Sequence, residues 1–289
     1  METILQQIVN SLSIGAIYAM VAVGLTLIFG VLEVLNFAHG EFFMLGGFVL
    51  FIIFGQLGVP YLAAVPVVVL IMALAGWIMR AGLDLRPGRS FETMILATLG
   101  VSVVLQNAAL AIWGVHPRSV RTEFTDTTRS IFGAAITDQR LLVLAVALVV
   151  FVFLDWFIRS TKTGTAMRAV AQNPEAAAVV GIDIVKISSF TFAAGIGLTA
   201  FSGTLVAPMI FINPLMGISY LMRSFVVITM AGRGNMRGAI ISAFALAIVE
   251  GLGQQYFGLA FKDILVFGVL IIVLTVKPEG LFGRKAGLV

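Results

Sequence analysis

The sequence predicts an all-α fold, a polytopic bundle of eight or nine transmembrane helices in one domain over residues 1–289, with a short helix outside the membrane. Three observations predict it. The chain is 60% hydrophobic and only 11% charged, with a mean hydropathy of +1.08, whereas soluble domains are about 45–50% apolar and about 25% charged. A water-soluble fold of this size could not hide that much apolar surface. The apolar runs are continuous, not alternating, which selects helices over an outer-membrane barrel. At roughly 20 residues per crossing plus short loops, the length accommodates eight or nine spans.

Charge-free runs define the crossings in order. Residues 3–32 contain no Asp, Glu, Lys or Arg and form the first span. Residues 42–79 are also charge-free. As one helix they would measure roughly 57 Å at 1.5 Å per residue, nearly twice a hydrocarbon core of about 30 Å. The run therefore breaks, and Gly55, Gly58 and Pro60 supply the turn. A short helix or re-entrant piece over residues 36–47 precedes the second crossing. Residues 93–113 give the fourth span and 141–158 the fifth, closed by the interfacial set Asp155, Trp156 and Arg159. Residues 187–207 form the sixth, ended by Pro208, and 238–257 and 264–276 the last two. Between them, residues 216–231 are a weaker candidate because they carry Arg223. A central Arg costs about 2.5–3.5 kcal/mol on insertion scales, so it belongs at an interface or in a protein-lined setting. Glu250 is expected to pair with Arg223 or Lys262, Gln106 and Asn107 to bond between helices, and Gly195, Gly197 and Gly203 to allow close packing. Gly24-Leu25-Thr26 recurs faintly as Gly197-Leu198-Thr199.

Basic residues set the orientation. With nine crossings and a cytoplasmic C-terminus, the inner side holds Arg80, Arg86, Arg89, Arg159, Lys162, Arg168, Lys186, Arg233, Arg237, Lys277, Arg284 and Lys285. The outer side holds only Arg118, Arg121, Arg129, Arg140, Arg223 and Lys262, in keeping with the positive-inside rule. Should the Arg223 segment fail to cross, the N-terminus moves inside. The N-terminal residues lack positive charge and read as the lead-in to the first span, not as a removed signal peptide. No cysteine is present, which excludes disulfides and thiolate chemistry. Absence of a phosphate-loop motif argues against ATP hydrolysis by this chain, and only two histidines argue against a zinc protease. No compact basic run points to nucleic acid.

The loop over residues 159–186 carries a compact helix signal. Asn173 can cap, Pro174 suits the first helical position, Glu175 favours the positive dipole end, and Gly181 permits a left-handed stop. This gives an Ala-rich helix of about two turns outside the hydrocarbon, either an ordinary loop helix or a docking element.

A second cluster, Glu33, Asn36, His39 and Glu41, lies in or beside a membrane-depth region, where ionisable groups are costly. On a continuous helix Asn36, His39 and Gly40 would share a face, extended by Glu33. Such a group either holds broken backbone ends or lines a solute pathway, and His39 is a candidate proton-sensitive group.

Glu175-Ala176-Ala177 followed by Gly181 resembles the EAA loop of ABC importer permeases. The stretch from Gly30 through Glu33, Asn36, His39 and Glu41 to Gly46 resembles the branched-chain amino acid permease family. Met230-Ala231-Gly232 running on to Gly238, and the ending Lys277-Pro278-Glu279-Gly280-Leu281-Phe282-Gly283, resemble it too. The resemblance covers essentially the whole chain. It implies a multi-pass permease of the bacterial inner membrane, paired with a related LivM-like permease and supplied by a periplasmic substrate-binding protein. Two LivG- and LivF-like ATPases would hold ATP and Mg, and this chain would hold no cofactor or metal. Arg168, Gln172, Asn173, Pro174, Glu175, Ala176, Ala177 and Gly181 would then meet an ATPase. A stand-alone ion-coupled transporter of a small apolar solute is the alternative function, with Glu33, His39 and Glu41 as its ion site.

Overall fold

A computed structural model describes residues 2–85, 90–131, 134–232 and 234–283. The basic residues Arg86, Arg89, Arg233, Arg284 and Lys285 lie outside the described residues.

The long apolar runs form helices where expected. Helix α1 spans Glu2–Leu32. Helix α2, His39–Leu50, continues as a π-helical segment over Phe51–Gln56, and α3 spans Tyr61–Gly82. The break between them falls at residues 57–60, where Gly58 has positive φ and Pro60 precedes α3. Helix α4 spans Phe91–Trp113. A short helix α5, Glu123–Asp126, and an antiparallel hairpin, β1 Thr128–Ile131 with β2 Ala134–Thr137, follow before α6, Asp138–Ser160. Helices α7, Lys162–Gln172, and α8, Pro174–Val179, lead into α9, Ile184–Val206. Helix α10 is Met216–Ala231, α11 Met236–Phe257 and α12 Lys262–Val276. Among the described residues, eight helical stretches are long and apolar enough to cross a membrane, and the 16-residue α10 is a shorter apolar helix. The chain is therefore a multi-pass membrane protein.

Helices α1, α9 and α11 form the core, with α2 and α10 wedged against them. Helix α1 runs antiparallel to α11: Gly30 lies by Gly234, Gly15 by Phe244, and Gln7 donates to the Gly251 carbonyl at 2.9 Å. One face of the molecule thus carries the α1 C-terminus, α7 and α8; the opposite face carries the α1 N-terminus and the hairpin. Asp155, near the end of α6, joins the first face by binding Arg237 at 2.8 Å and Arg159 at 3.0 Å.

Two helices are broken in opposite senses. After α1 ends, residues 33–38 turn back without helical structure, and α2 starts only at His39. His39 bonds the Val21 carbonyl, about eleven residues or roughly 16 Å before the end of α1. After α9 ends on the opposite face, residues 207–215 turn back likewise, and α10 starts at Met216. The two starts meet: a Cβ on Gly217 would stand 2.6 Å from the Gly40 carbonyl oxygen, and one on Gly40 would strike the Gly217 carbonyl. Residues 207–215 and α10 together lead the chain from the end of α9 back to the α7–α8 face, where Ile228 and Thr229 line a cavity with Arg159 and Arg168. Gly24 and Gly195 meet with the same reciprocity at 2.6 and 2.7 Å. Reciprocal contacts of this kind mark an approximate twofold relation, between α1-break-α2 and α9-break-α10. The faint echo around Gly24 and Gly197 falls on these two crossing helices.

Two expectations are corrected. Helix α7 occupies what reads as loop, because Gly164, Met167 and Val170, at three-residue spacing, bury one face against the bundle. Asn107 does not reach another helix; it bonds back to the Val103 carbonyl of its own helix at 2.8 Å, because it lies on an exposed face of α4.

Candidate functional site

The polar cluster near the start of α2 is split by the break. Helix α1 stops at Glu33, whose left-handed backbone (φ 57°) closes the last turn with its N–H on the Phe29 carbonyl at 2.9 Å. Residues 34–36 run without helical structure, so Glu33, Asn36, His39 and Gly40 do not share one helix face. Glu33 is exposed and lines a cavity on the α7–α8 face with Phe91 and Gln172.

The other three residues of the cluster are buried. Asn36 organises the turn into α2: its Oδ1 accepts from the Ala38 N–H at 3.0 Å, and its carbonyl accepts from the His39 N–H at 3.2 Å. Thr98 of α4 closes the turn from outside, accepting from the Phe37 N–H at 3.2 Å and donating to the Leu35 carbonyl. His39 ties three helices together. Its Nε2 lies 3.0 Å from the Val21 carbonyl of α1 and 2.7 Å from Thr199 Oγ1 of α9. A carbonyl cannot donate, so Nε2 carries the proton, while Thr199 donates to the Gly195 carbonyl at 2.9 Å. This is the geometry of a bracket that holds a broken helix end.

Glu41 differs. It sits in the first turn of α2, 2% exposed. Ser102 donates to its Oε1 at 3.1 Å, and Oε2 has no partner. Ser102 is the midpoint of Phe91–Trp113, so this carboxyl lies halfway through the bundle. A buried ion without a counter-charge costs several kcal/mol, more than the roughly 0.3–1 kcal/mol a helix N-terminus returns.

A second buried set satisfies itself. Arg223 of α10 binds Glu250 of α11 through Nε at 3.0 Å and Nη2 at 2.9 Å, and Asp263 of α12 at 2.9 Å. Lys262 reaches Glu250 at 3.1 Å, and Arg223 also stands over the Tyr18 ring. Both expected partners of Glu250 are present. Thr98, Ser102, Thr199 and Asp263 escape sequence reasoning: Ser and Thr in apolar helices satisfy themselves on their own backbone and so give little signal.

On the α7–α8 face, Asn173 joins two helices, ending α7 and capping α8 by accepting from the Ala176 N–H at 2.9 Å. Pro174 takes the first helical position, Ala177 is buried, and Gly181 adopts φ 85°. Glu175 and Ala176 are exposed, as are Arg168 and Gln172 on α7, and Val179 and Val180 are 88% and 75% exposed. Beside these helices a cavity of about 1000 Å³ opens, lined by Thr26, Phe29, Arg159, Arg168, Ile228 and Glu279 among others.

Comparison with known proteins places this arrangement. Residues 7–274 match the family described as branched-chain amino acid transport system / permease component. The chain is 31% identical over 294 residues to the high-affinity branched-chain amino acid transport system permease protein BraD of Pseudomonas aeruginosa, covering 97% of this chain and 96% of that one. It is 32% identical to the corresponding permease protein LivH of Escherichia coli, with the same coverage. A probable branched-chain amino acid transport permease protein LivM of Methanocaldococcus jannaschii is 27% identical over 50% of this chain and 46% of its own. No solved structure matches. The chain belongs to the branched-chain amino acid transport system permease family.

Proposed function

We propose that this chain is the membrane-spanning permease subunit of an ATP-driven importer for leucine, isoleucine and valine in the bacterial inner membrane. The observation that carries the reading is the family match across residues 7–274. It favours this function over that of a stand-alone ion-coupled transporter. In this reading the chain performs no catalysis itself. It pairs with a LivM-like permease and receives solute from a periplasmic binding protein, while LivG- and LivF-like ATPases bind ATP and Mg. The likeness of the chain to a LivM protein supports a partner of related fold.

The α7–α8 face is then cytoplasmic, with the C-terminus on it, and the hairpin is periplasmic. Arg159, Lys162, Arg168, Lys186 and Arg237 on that face support this orientation. Helix α8 is the coupling element. Its capped start, its Gly181 stop and the exposed apolar pair Val179 and Val180 suit it to a groove on an ATPase. Nucleotide binding in the ATPases pulls this helix, and the bundle switches the side on which its cavity opens. Affinity for the solute resides chiefly in the binding protein, so an apolar path suffices for the hydrocarbon side chains.

The test is reconstitution of the four subunits and the binding protein in liposomes. ATP-dependent leucine uptake is expected, falling at least about tenfold, or 1.4 kcal/mol, in a Val179→Asp, Val180→Asp chain whose exposed sites leave its fold intact. Unchanged uptake in that variant overturns the coupling role. Uptake driven by an ion gradient with this chain alone overturns the importer reading.

A further inference from the structure

We propose that Glu41 receives the α-ammonium group of the solute at mid-membrane, and that the α4 edge carrying Ser102 and Gln106 lines that part of the path. The proposal rests on the importer reading above and names a contact within it.

The argument starts from an asymmetry between two buried carboxyls. Glu250 takes Arg223 and Lys262, whereas Glu41 makes no ion pair among the described residues and its Oε2 has no partner. Burying a charge is tolerated where a counter-charge meets it. The first-turn position on α2 offsets only part of the cost of the negative form, and the missing counter-charge is one the solute carries. Leucine, isoleucine and valine bring an apolar side chain and an ammonium together. Apolar walls accept the first and leave the second bare. Leu45, four residues on from Glu41 and half-buried, presents such a wall on the same side of α2.

The seam beside Glu41 is also lightly held. Helix α4 has only 11% of its apolar stretch buried within the chain, and its principal neighbour is α2. Thr98 at the turn, Ser102 at Glu41 and the Phe48–Trp113 stack at 4.5 Å hold it there. Gln106 follows Ser102 by one turn on the same edge and is half-buried. At the level of Glu41 a single side-chain hydrogen bond, from Ser102 to Oε1, closes the seam, and Oε2 stands unpartnered, so an arriving ammonium meets one free oxygen and displaces one hydroxyl.

The chain lacks cysteine, so a Gln106→Cys variant of the reconstituted importer, with labelling read on this chain after the subunits are separated, reports on one place. Its reaction with cationic and anionic water-soluble methanethiosulfonates is compared, with Val104→Cys, on the exposed side of α4, as the control. The Gln106→Cys thiol is expected to react at least about tenfold faster than the control. It should favour the cationic reagent by a similar factor, since a charged cleft concentrates counter-ions about tenfold or more. Adding Glu41→Gln should bring the cation preference close to unity. In the importer without the added cysteine, Glu41→Gln should lower leucine uptake per ATP hydrolysed about tenfold, and Glu41→Asp should recover much of it. A Gln106→Cys thiol no more reactive than the control overturns the proposal. So does a charge preference untouched by Glu41→Gln, or wild-type leucine uptake in Glu41→Gln. Absence of ATP-driven leucine uptake in the unaltered complex overturns the importer reading instead, and the labelling ratio still reports on Glu41.

Discussion

Removing the Glu250 carboxylate tests how the broken helix α10 is held. Among the described residues, Glu250, 3% exposed, is the only buried acid facing Arg223, because Asp263, the other partner, has a side chain 72% exposed. Glu250→Ala therefore leaves two cations, Arg223 and Lys262, with one carboxylate at the rim. Breaking a buried pair from one side costs about 3–5 kcal/mol, because the surviving charge stays desolvated. A shift of about 2–4 °C per kcal/mol at this chain size converts that to a fall of roughly 6–20 °C in the unfolding midpoint. The assay is thermal unfolding of the purified chain in lipid nanodiscs, followed by loss of the monodisperse peak. Replacing both partners, Arg223→Met with Glu250→Met, removes the desolvation along with the attraction and should recover most of the loss. Arg129→Ala, at the exposed hairpin pair with Asp138, is the control and should leave the midpoint within its scatter. If Glu250→Ala moves the midpoint no further than Arg129→Ala, the pair contributes nothing to holding α10, and the reasoning fails. If the double variant is worse than either single one, desolvation is not the governing effect.

Three further outcomes follow from the same structure. Gly217→Ala puts a methyl 2.6 Å from the Gly40 carbonyl oxygen, and overpacking of about 1–3 kcal/mol should lower the unfolding midpoint; an unchanged midpoint would show the two helix starts do not touch. His39→Phe removes the donor to the Val21 carbonyl and Thr199, leaving a buried acceptor unmet at about 1–3 kcal/mol, and hydrogen exchange at the start of α2 should quicken by about fivefold or more. Asn173→Ala removes the cap on the Ala176 N–H, worth about 1 kcal/mol, so exchange of the α8 amides should rise about fivefold while Asn173→Asp stays near the parent rate.

The spans were legible because lipid imposes one rule on every residue within it, and charge-free runs such as 3–32 obey it visibly. Arg223 and Glu250 were legible as partners for the same reason: each is too costly alone in an apolar helix. What stayed hidden depends on backbone direction. Glu33, Asn36 and His39 fit a helical spacing, yet the left-handed turn at Glu33 and the non-helical residues after it put them in three different settings. Helix α7 carried a readable three-residue spacing in Gly164, Met167 and Val170, masked by the Lys, Thr and Arg around it. Strands of four residues are too short to show a period, so the hairpin left no trace. In the α8 segment every local signal agreed, from the Asn173 cap to the Gly181 stop, and the helix formed between them.

The broken helix α10 also constrains how the chain enters the membrane while it is being made. Sixteen residues reach about 24 Å, short of the roughly 30 Å a nascent segment must cover, and Arg223 adds about 2.5–3.5 kcal/mol against partitioning from the translocon. Both effects act against entry of the segment as an independent unit, and stable insertion is expected only with α11 and α12, which bring Glu250 and Asp263. A ribosome-bound chain stopped after α10 should therefore leave that segment outside the bilayer, open to acceptor-site glycosylation or protease, until α12 has emerged.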